Sequence, residues 1–339
     1  MKILVTGAAG FIGFFVSKKL IEKGHDVVGL DNINDYYDVN LKYARLNQLG
    51  IERDDAEQFN ILIESTTKAP FSFIRLALED RENLPILFKQ QNFDVVCNLA
   101  AQAGVRYSLE NPEAYVDSNL VGFLNVLECC RINKIKHLVY ASSSSVYGLN
   151  DKVPFKTTDP VDHPVSLYAA TKKSNELMAH TYSHLYKFQC TGLRFFTVYG
   201  PWGRPDMAYF SFTKNILANK PINVYNNGEL ARDFTYIDDI VNGICLIIEK
   251  GFIPNSNSKS NASIYNIGRG KSVKLMDFIN TIEINLNKEA NLIMKPMQDG
   301  DVFKTWADTT ELTENYNYSP KINLNDGVKM FINWYLTSK

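Results

Sequence analysis

A doubly wound α/β fold, with a parallel sheet covered by helices on both faces, is predicted by three observations. Short apolar strands alternate with helix-like segments through the first half of the chain. A glycine-rich turn, Gly7-Ala-Ala-Gly10-Phe-Ile-Gly13, joins the first strand to the first helix. After Gly200-Pro201 the alternation weakens, which predicts a smaller α/β region interleaved with returning pieces of the sheet.

Element by element, 2–6 reads as the first strand and 11–23 as an amphipathic helix. The second strand is 26–31. The long segment 32–70 follows, with a helix around Tyr36, Tyr37, Tyr43 and Leu46 and a polar stretch at 52–68, and is expected to be a lid or ornament. Strands at 71–76, 95–99, 137–142 and 189–196 alternate with helices at 83–91, 112–132 and 167–186. Beyond them, 210–218, 238–249, 274–287 and 327–336 read as helices, 222–224 as a short strand, and 255–262 as a polar loop. The expected division is a first domain of 1–198, its sheet completed by segments near 233–250 and 264–268, and a second region of 199–339.

Of the 339 residues, 45% are hydrophobic and 22% charged, ordinary values for a globular enzyme. The net charge of −1 argues against nucleic acid or an anionic membrane as partner. No apolar run reaches the ~18 residues of a membrane span, and the start of the chain reads as a strand, so a cytoplasmic location is expected. Cys97, Cys129, Cys130, Cys190 and Cys245 lie in or beside apolar runs and read as buried free thiols. His180 and His184 lack an acidic third ligand nearby, so no metal site is expected.

Gly7, Gly10 and Gly13, with Phe11 and Ile12 between them, follow a strand and open a helix. Such glycines permit a tight turn and close approach of a pyrophosphate to the helix N-terminus, the mark of a Rossmann dinucleotide site. Asp31 ends the second strand with Asn32 beside it. A carboxylate there accepts from a ribose 2′-hydroxyl and repels a 2′-phosphate, so NAD is favoured over NADP. Farther along, Tyr168 and Lys172 share one helical face. An ammonium beside a phenol of reference pKa ~10 favours the phenolate, a usable base.

Gly-x-x-Gly-x-x-Gly, Asn98-Leu-Ala-Ala101, the serine run before Val146-Tyr147-Gly148 and Tyr168-x-x-x-Lys172 occur in that order. Together they resemble the extended short-chain dehydrogenase/reductase family, and within it the NAD-dependent sugar-nucleotide epimerases and dehydratases. The resemblance implies Tyr168 as base, Lys172 as the cation beside it and Ser143 as hydroxyl partner, with Ser142 as its neighbour. It places Leu78, Leu99, Ala100 and Ala101 beside NAD. It also implies a transient 4-keto sugar and a homodimer built on the helices 112–132 and 167–186. The related 4,6-dehydratases carry Asp-Glu after the position of Ser143; Ser144 and Ser145 stand here, so epimerisation rather than dehydration is implied.

The stretch Arg194-Phe-Phe-Thr-Val-Tyr-Gly-Pro-Trp-Gly-Arg-Pro-Asp-Met207 resembles the subgroup acting on UDP-glucuronate. The resemblance assigns the sugar carboxylate to Arg204 with Thr197. It assigns the diphosphate to Arg232, the uridine ribose to Asp301 in Gln298-Asp-Gly-Asp301, and the sugar side to Arg106 and Ser108. A neutral UDP-sugar epimerase and a UDP-glucuronate decarboxylase are the neighbouring alternatives. Two departures stand out: Ala77-Leu78 where relatives often carry Asp-Leu, and Gln298 where some carry Arg.

Overall fold

Alternation along single strands feeds two separate cores. Ile3 and Val5 enter one apolar cluster and Leu4 the other; Val95 and Cys97 part in the same way from Val96, and Val139 from Leu138 and Tyr140. Successive side chains of a strand point to opposite faces, so a strand apolar at every position must be covered on both. Each such side chain, when fully buried, contributes roughly 1.5–3 kcal/mol.

The computed structural model describes residues 1–256, 258, 260–298 and 301–338. Its strands, in chain order, are β1 (Lys2–Thr6), β2 (Asp26–Asp31), β3 (Leu62–Glu64), β4 (Phe71–Arg75), β5 (Val95–Asn98), β6 (His137–Ser143), β7 (Gln189–Phe195), β8 (Thr197–Tyr199), β9 (Ile222–Val224), β10 (Ala231–Arg232), β11 (Phe234–Tyr236), β12 (Ala262–Ile267), β13 (Val273–Lys274) and β14 (Leu292–Met294). The main sheet has the order β12-β7-β6-β5-β1-β2-β4-β3. It is parallel except at its edge, where β3 runs antiparallel to β4. β1 lies between β2 and β5, and the winding reverses there. A crevice opens at such a switch point, outside the carboxyl ends of the strands. The strand expected near 264–268 is β12, which joins β7 at the far edge. Beyond β7, the pairs β8–β11, β9–β14 and β10–β13 form small separate ladders.

Several elements differ from the sequence-based expectations. The polar stretch 52–68 contains a short helix, Arg53–Ala56, and the edge strand β3, whose Leu62 and Ile63 are too few to announce a strand. Tyr36 and Tyr37 precede a helix, Val39–Gln48, that contains Tyr43 and Leu46. The helix expected over 112–132 is interrupted: Val116–Gly122 winds as a π-helix between Pro112–Tyr115 and Phe123–Ile132. Asn175 Nδ2 donates to the Asn119 carbonyl at 2.6 Å, drawing that oxygen out of the α-helical ladder. A helix at Thr310–Tyr316 was not anticipated. Part of the expected polar loop 255–262, residues 257 and 259, lies outside the described residues. All five cysteines are free and buried, and among the described residues no helix is long and apolar enough to cross a membrane.

Candidate active site

The turn after β1 is built for an anion. Gly7 has φ +73°, and a Cβ on it would come within 2.9 Å of the Ala100 amide. On Gly13 a Cβ would meet the Gly7 carbonyl at 2.1 Å, so the helix Phe11–Glu22 can lie this close to the turn only with glycine there. That helix has no side-chain cap at Gly10 and no acidic residue in its first turn. Its N-terminal N–H groups are therefore left for an anionic partner. Asp31, at the end of β2, aims at the same turn: Oδ2 accepts from Ala9 N at 3.2 Å and Oδ1 from Ile33 N at 2.8 Å.

One cleft gathers every residue assigned to the cofactor. Gly7, Gly10, Phe11, Ile12, Gly13, Asp31 and Asn32 line one end of it, with Leu78 and Leu99 to Ala101 beside them. Ser142, Ser143, Tyr168 and Lys172 line it as well, as does Arg204. An uncapped helix end at a tight glycine turn, a fixed carboxylate beyond it, and apolar walls at Leu76 and Leu78 suit the pyrophosphate, ribose and base of a dinucleotide.

Tyr168 and Lys172 rise from the helix Leu167–Tyr186, which Ser166 caps by accepting from Ala169 N at 3.1 Å. Ser143 ends β6 and accepts from Ser145 N at 3.2 Å, so its hydroxyl is held at the carboxyl edge of the sheet. Burial raises the Tyr168 phenol above its ordinary value, opposed by a hydrogen bond from Ser143 and by the charge of Arg204. Lys172 is itself pushed down to about 8 by burial, against the pull of Glu176. Ser143 and Arg204 thus favour the phenolate against burial.

The residues assigned to the sugar nucleotide divide. Ser142 lines the cleft, but its Oγ donates to Glu176 Oε1 at 2.7 Å, which leaves the hydroxyl there as an acceptor only. Ser108, 2% exposed, donates to the Val105 carbonyl at 2.6 Å and lies outside the cleft lining. Thr197 sits half-buried in the β8–β11 ladder; the cleft wall beside it is made by Phe195, Phe196 and Val198. Arg204 does reach the cleft, paired with Asp206 at 2.5 Å. Arg106 is exposed and stacks over Tyr225 at 5.2 Å, beside a shallow depression that it shares with Leu109, Met297 and Gln298. Arg232 and Asp301 meet in an ion pair at 2.5 Å, away from the cleft lining. Residues 299 and 300 of the Gln298-Asp-Gly-Asp301 motif lie outside the described residues.

Sequence reasoning missed several residues around the cleft. Glu176 grips Arg194 through two contacts, Nε to Oε1 at 2.8 Å and Nη2 to Oε2 at 2.9 Å. Asn119 receives Gln102 N at 2.8 Å and donates back to the Gln102 carbonyl at 3.0 Å, fixing the loop after β5. Lys42 Nζ donates to Asn34 O and Oδ1, both at 2.7 Å, and Arg45 Nη1 donates to Ala9 O at 2.9 Å. Lys42 and Arg45 lie three residues apart on one helical face, buried where an apolar stripe would ordinarily be. That misplaced polarity was the available signal that 32–70 belongs to the site rather than ornamenting it.

Comparison with known proteins places these features in company. The sequence model of the NAD dependent epimerase/dehydratase family matches residues 3–268. A probable UDP-glucuronate 4-epimerase of Rhizobium meliloti is 45% identical over 349 residues, covering 99% of this chain and 97% of the relative. UDP-glucuronate 4-epimerase 4 of Arabidopsis thaliana is 47% identical over 346 residues, covering 99% of this chain and 75% of the relative. The crystal structure of UDP-glucuronic acid 4-epimerase from Bacillus cereus, in complex with UDP-glucuronic acid and NAD, superposes with a TM-score of 0.87 at 31% identity, covering 100% of both chains.

Proposed function

The chain belongs to the NAD dependent epimerase/dehydratase family, and from that premise we propose that it interconverts UDP-glucuronate and UDP-galacturonate by inverting C4 of the sugar. The observation that carries this reading is Arg204: a guanidinium opens onto the same cleft as Tyr168, Ser143 and Lys172, near enough to bias the phenol. A base beside a hydroxyl-bearing carbon and a cation for a carboxylate are what a uronic acid substrate requires.

Bound NAD would supply acceptance and return of a hydride at C4. Gly7 to Gly13, Asp31, Asn32, Leu78 and Leu99 to Ala101 hold it. Tyr168 Oη accepts the proton of the 4-hydroxyl and later gives it back, while the Ser143 hydroxyl steadies the oxygen as its charge changes. Lys172 stands four residues from Tyr168 as the cation on the cofactor side. Arg204, with Thr197 behind it on β8, restrains the C6 carboxylate. Restraint matters because a 4-ketone makes this group a β-keto acid, which loses CO₂ when the C5–C6 bond aligns with the carbonyl. Arg232 serves the diphosphate and Asp301 the uridine ribose, with Arg106 on the sugar side. Residues 1–198 with β12 form the NAD-binding domain, and 199–339 mainly the UDP-sugar region.

The helix Leu167–Tyr186 exposes Leu177, Leu185 and Tyr186, and its neighbour Phe123–Ile132 exposes Ile132. These apolar side chains support a homodimer through the two helices. The enzyme works in the cytoplasm, supplying uronic acid for polysaccharide synthesis.

NMR of the purified protein with NAD, given UDP-glucuronate and UDP-glucose separately, tests the reading. UDP-galacturonate formed in the first tube alone supports it. UDP-galactose predominating leaves the epimerase and refutes the carboxylate assignment; UDP-pentose as the main product means decarboxylation. Tyr168→Phe is expected to abolish turnover while NAD still binds.

A further inference from the structure

A guanidinium offers five N–H donors in a rigid plane. On Arg204 two of them are already engaged: Nε donates to Asp206 Oδ1 at 3.0 Å and Nη2 to Asp206 Oδ2 at 2.5 Å. This pair, two residues apart on the loop after β8, is not left to itself. The Tyr36 hydroxyl, from the segment that precedes the helix Val39–Gln48, donates to Asp206 Oδ2 at 3.1 Å. The Arg204 guanidinium lies 5.8 Å from the centre of the Tyr36 ring. Burial and then Asp206 push the Tyr36 phenol up to about 12, so it remains a donor at any working pH.

The loop is fixed from beneath as well. Arg45 is fully buried, and it donates to the Trp202 carbonyl through Nε at 3.1 Å and Nη2 at 2.6 Å, and to the Gly203 carbonyl at 3.3 Å. Its Nη1 reaches Ala9 in the glycine-rich turn. The segment 32–48 therefore ties the loop bearing Arg204 to the cofactor turn, and Tyr36 ties the Arg204 head group to that same segment.

We propose that Asp206, oriented by Tyr36, is the positioning residue for Arg204, gripping one edge of the guanidinium so that its remaining donors face the C6 carboxylate of the sugar. The inference rests on the UDP-glucuronate reading above. An Arg free to swing would still attract the carboxylate but would not hold its plane. In the 4-keto sugar the carboxylate would then turn until the C5–C6 bond lay parallel to the carbonyl π system. That bond would break, its electron pair entering the C4 enolate as CO₂ leaves; a solvent proton would add at C5, and return of the hydride removed from C4 to the resulting ketone would give UDP-pentose. Asp206 thus governs both the affinity for a carboxylate and the partition between epimer and pentose.

The test is Asp206→Asn, with NAD present and UDP-glucuronate followed by NMR. KM is expected to rise about tenfold, the size of one weakened charge-assisted contact, with kcat changing less. UDP-pentose is expected to form a larger share of product than in the wild type, and NAD affinity to stay the same. Asp206→Glu should recover part of the loss, and Tyr36→Phe should move both readouts the same way by less. Should Asp206→Asn not fold, Tyr36→Phe carries the test alone. Unchanged KM and product ratio overturn the inference, as does a loss in which NAD affinity and thermal stability fall together with turnover. Wild-type protein that converts UDP-glucose but leaves UDP-glucuronate untouched overturns the functional reading and the inference with it. Wild-type activity on UDP-glucuronate with an indifferent Asp206→Asn overturns the inference alone.

Discussion

Arg194 and Arg204 each hold a carboxylate through Nε and Nη2. Arg194 meets Glu176 at 2.8 and 2.9 Å, and Arg204 meets Asp206 at 3.0 and 2.5 Å. Their surroundings differ. The side chains of Arg194 and Glu176 are 4% and 5% exposed, whereas those of Arg204 and Asp206 are 23% and 29% exposed at the cleft. Around the first pair, Ser142 donates to Glu176, the Thr157 carbonyl accepts from Arg194, and the Tyr147 ring lies 4.9 Å from the guanidinium. It is sealed, and it ties β6, β7 and the catalytic helix together. The second pair keeps one side open to whatever enters the cleft. The same fork therefore braces the fold in one place and, in the proposed function, meets a ligand in the other, and what separates the two roles is which donors the fold leaves unspent.

The largest effect should come from breaking the sealed pair. Glu176→Ala leaves the Arg194 charge buried without its carboxylate, and a loss of about 3–5 kcal/mol is expected in chemical denaturation. Any effect on activity should be the same for charged and neutral sugar nucleotides. A clearly selective loss for UDP-glucuronate would erase the contrast between the two arginines. Arg204→Gln should do the reverse: kcat/KM for UDP-glucuronate is expected to fall about 100-fold, near 3 kcal/mol, while the denaturation midpoint hardly moves.

Acid sharpens the comparison further. Burial alone would raise the Glu176 carboxyl, but the Arg194 charge and hydrogen bonds prevail and its pKa lies below the ordinary value. A depressed carboxylate contributes stability that is present above its unfolded value, 4.5, and lost as pH falls through the folded one. Acid unfolding should therefore be less steep in Glu176→Gln than in the wild type. Asp206 is depressed in the same way, by Arg204 against burial, so Asp206→Asn should also flatten the curve, but less because water reaches that pair. The smallest effect belongs to Ser142→Ala, which removes one hydrogen bond to Glu176. About 1 kcal/mol of stability should be lost, with KM for the sugar nucleotide unchanged; a raised KM would return Ser142 to the substrate.

Much of the site could be read from order along the chain. The glycine turn, Asp31, Ser143, Tyr168 and Lys172 all stand where strand ends and helix starts predict, and the fold brings them into one cleft. The intramolecular bonds of Ser108 to the Val105 carbonyl and of Ser142 to Glu176 were not legible, because a hydroxyl near a strand end looks the same in sequence whatever it faces. Thr197 and the pair Arg232–Asp301 lie off that cleft lining, where motif position could not show their orientation. The segment 32–70 was undervalued because its polar residues read as solvent-facing, although Arg45 is fully buried.

By itself, the sequence determined the alternation of strands and helices, the dinucleotide turn and the Tyr168–Lys172 face. These are local facts: periodicity, backbone freedom at glycine and spacing on one helix act within a few residues. Only the tertiary structure decided that Glu176 belongs to Arg194, that Asp206 and Tyr36 hold Arg204, and that Arg45 ties the cofactor turn to the loop of Arg204. Those contacts join distant segments, such as Arg45 with Trp202 and Gly203, and a charged group accepts whichever partner the packed chain brings within hydrogen-bond reach.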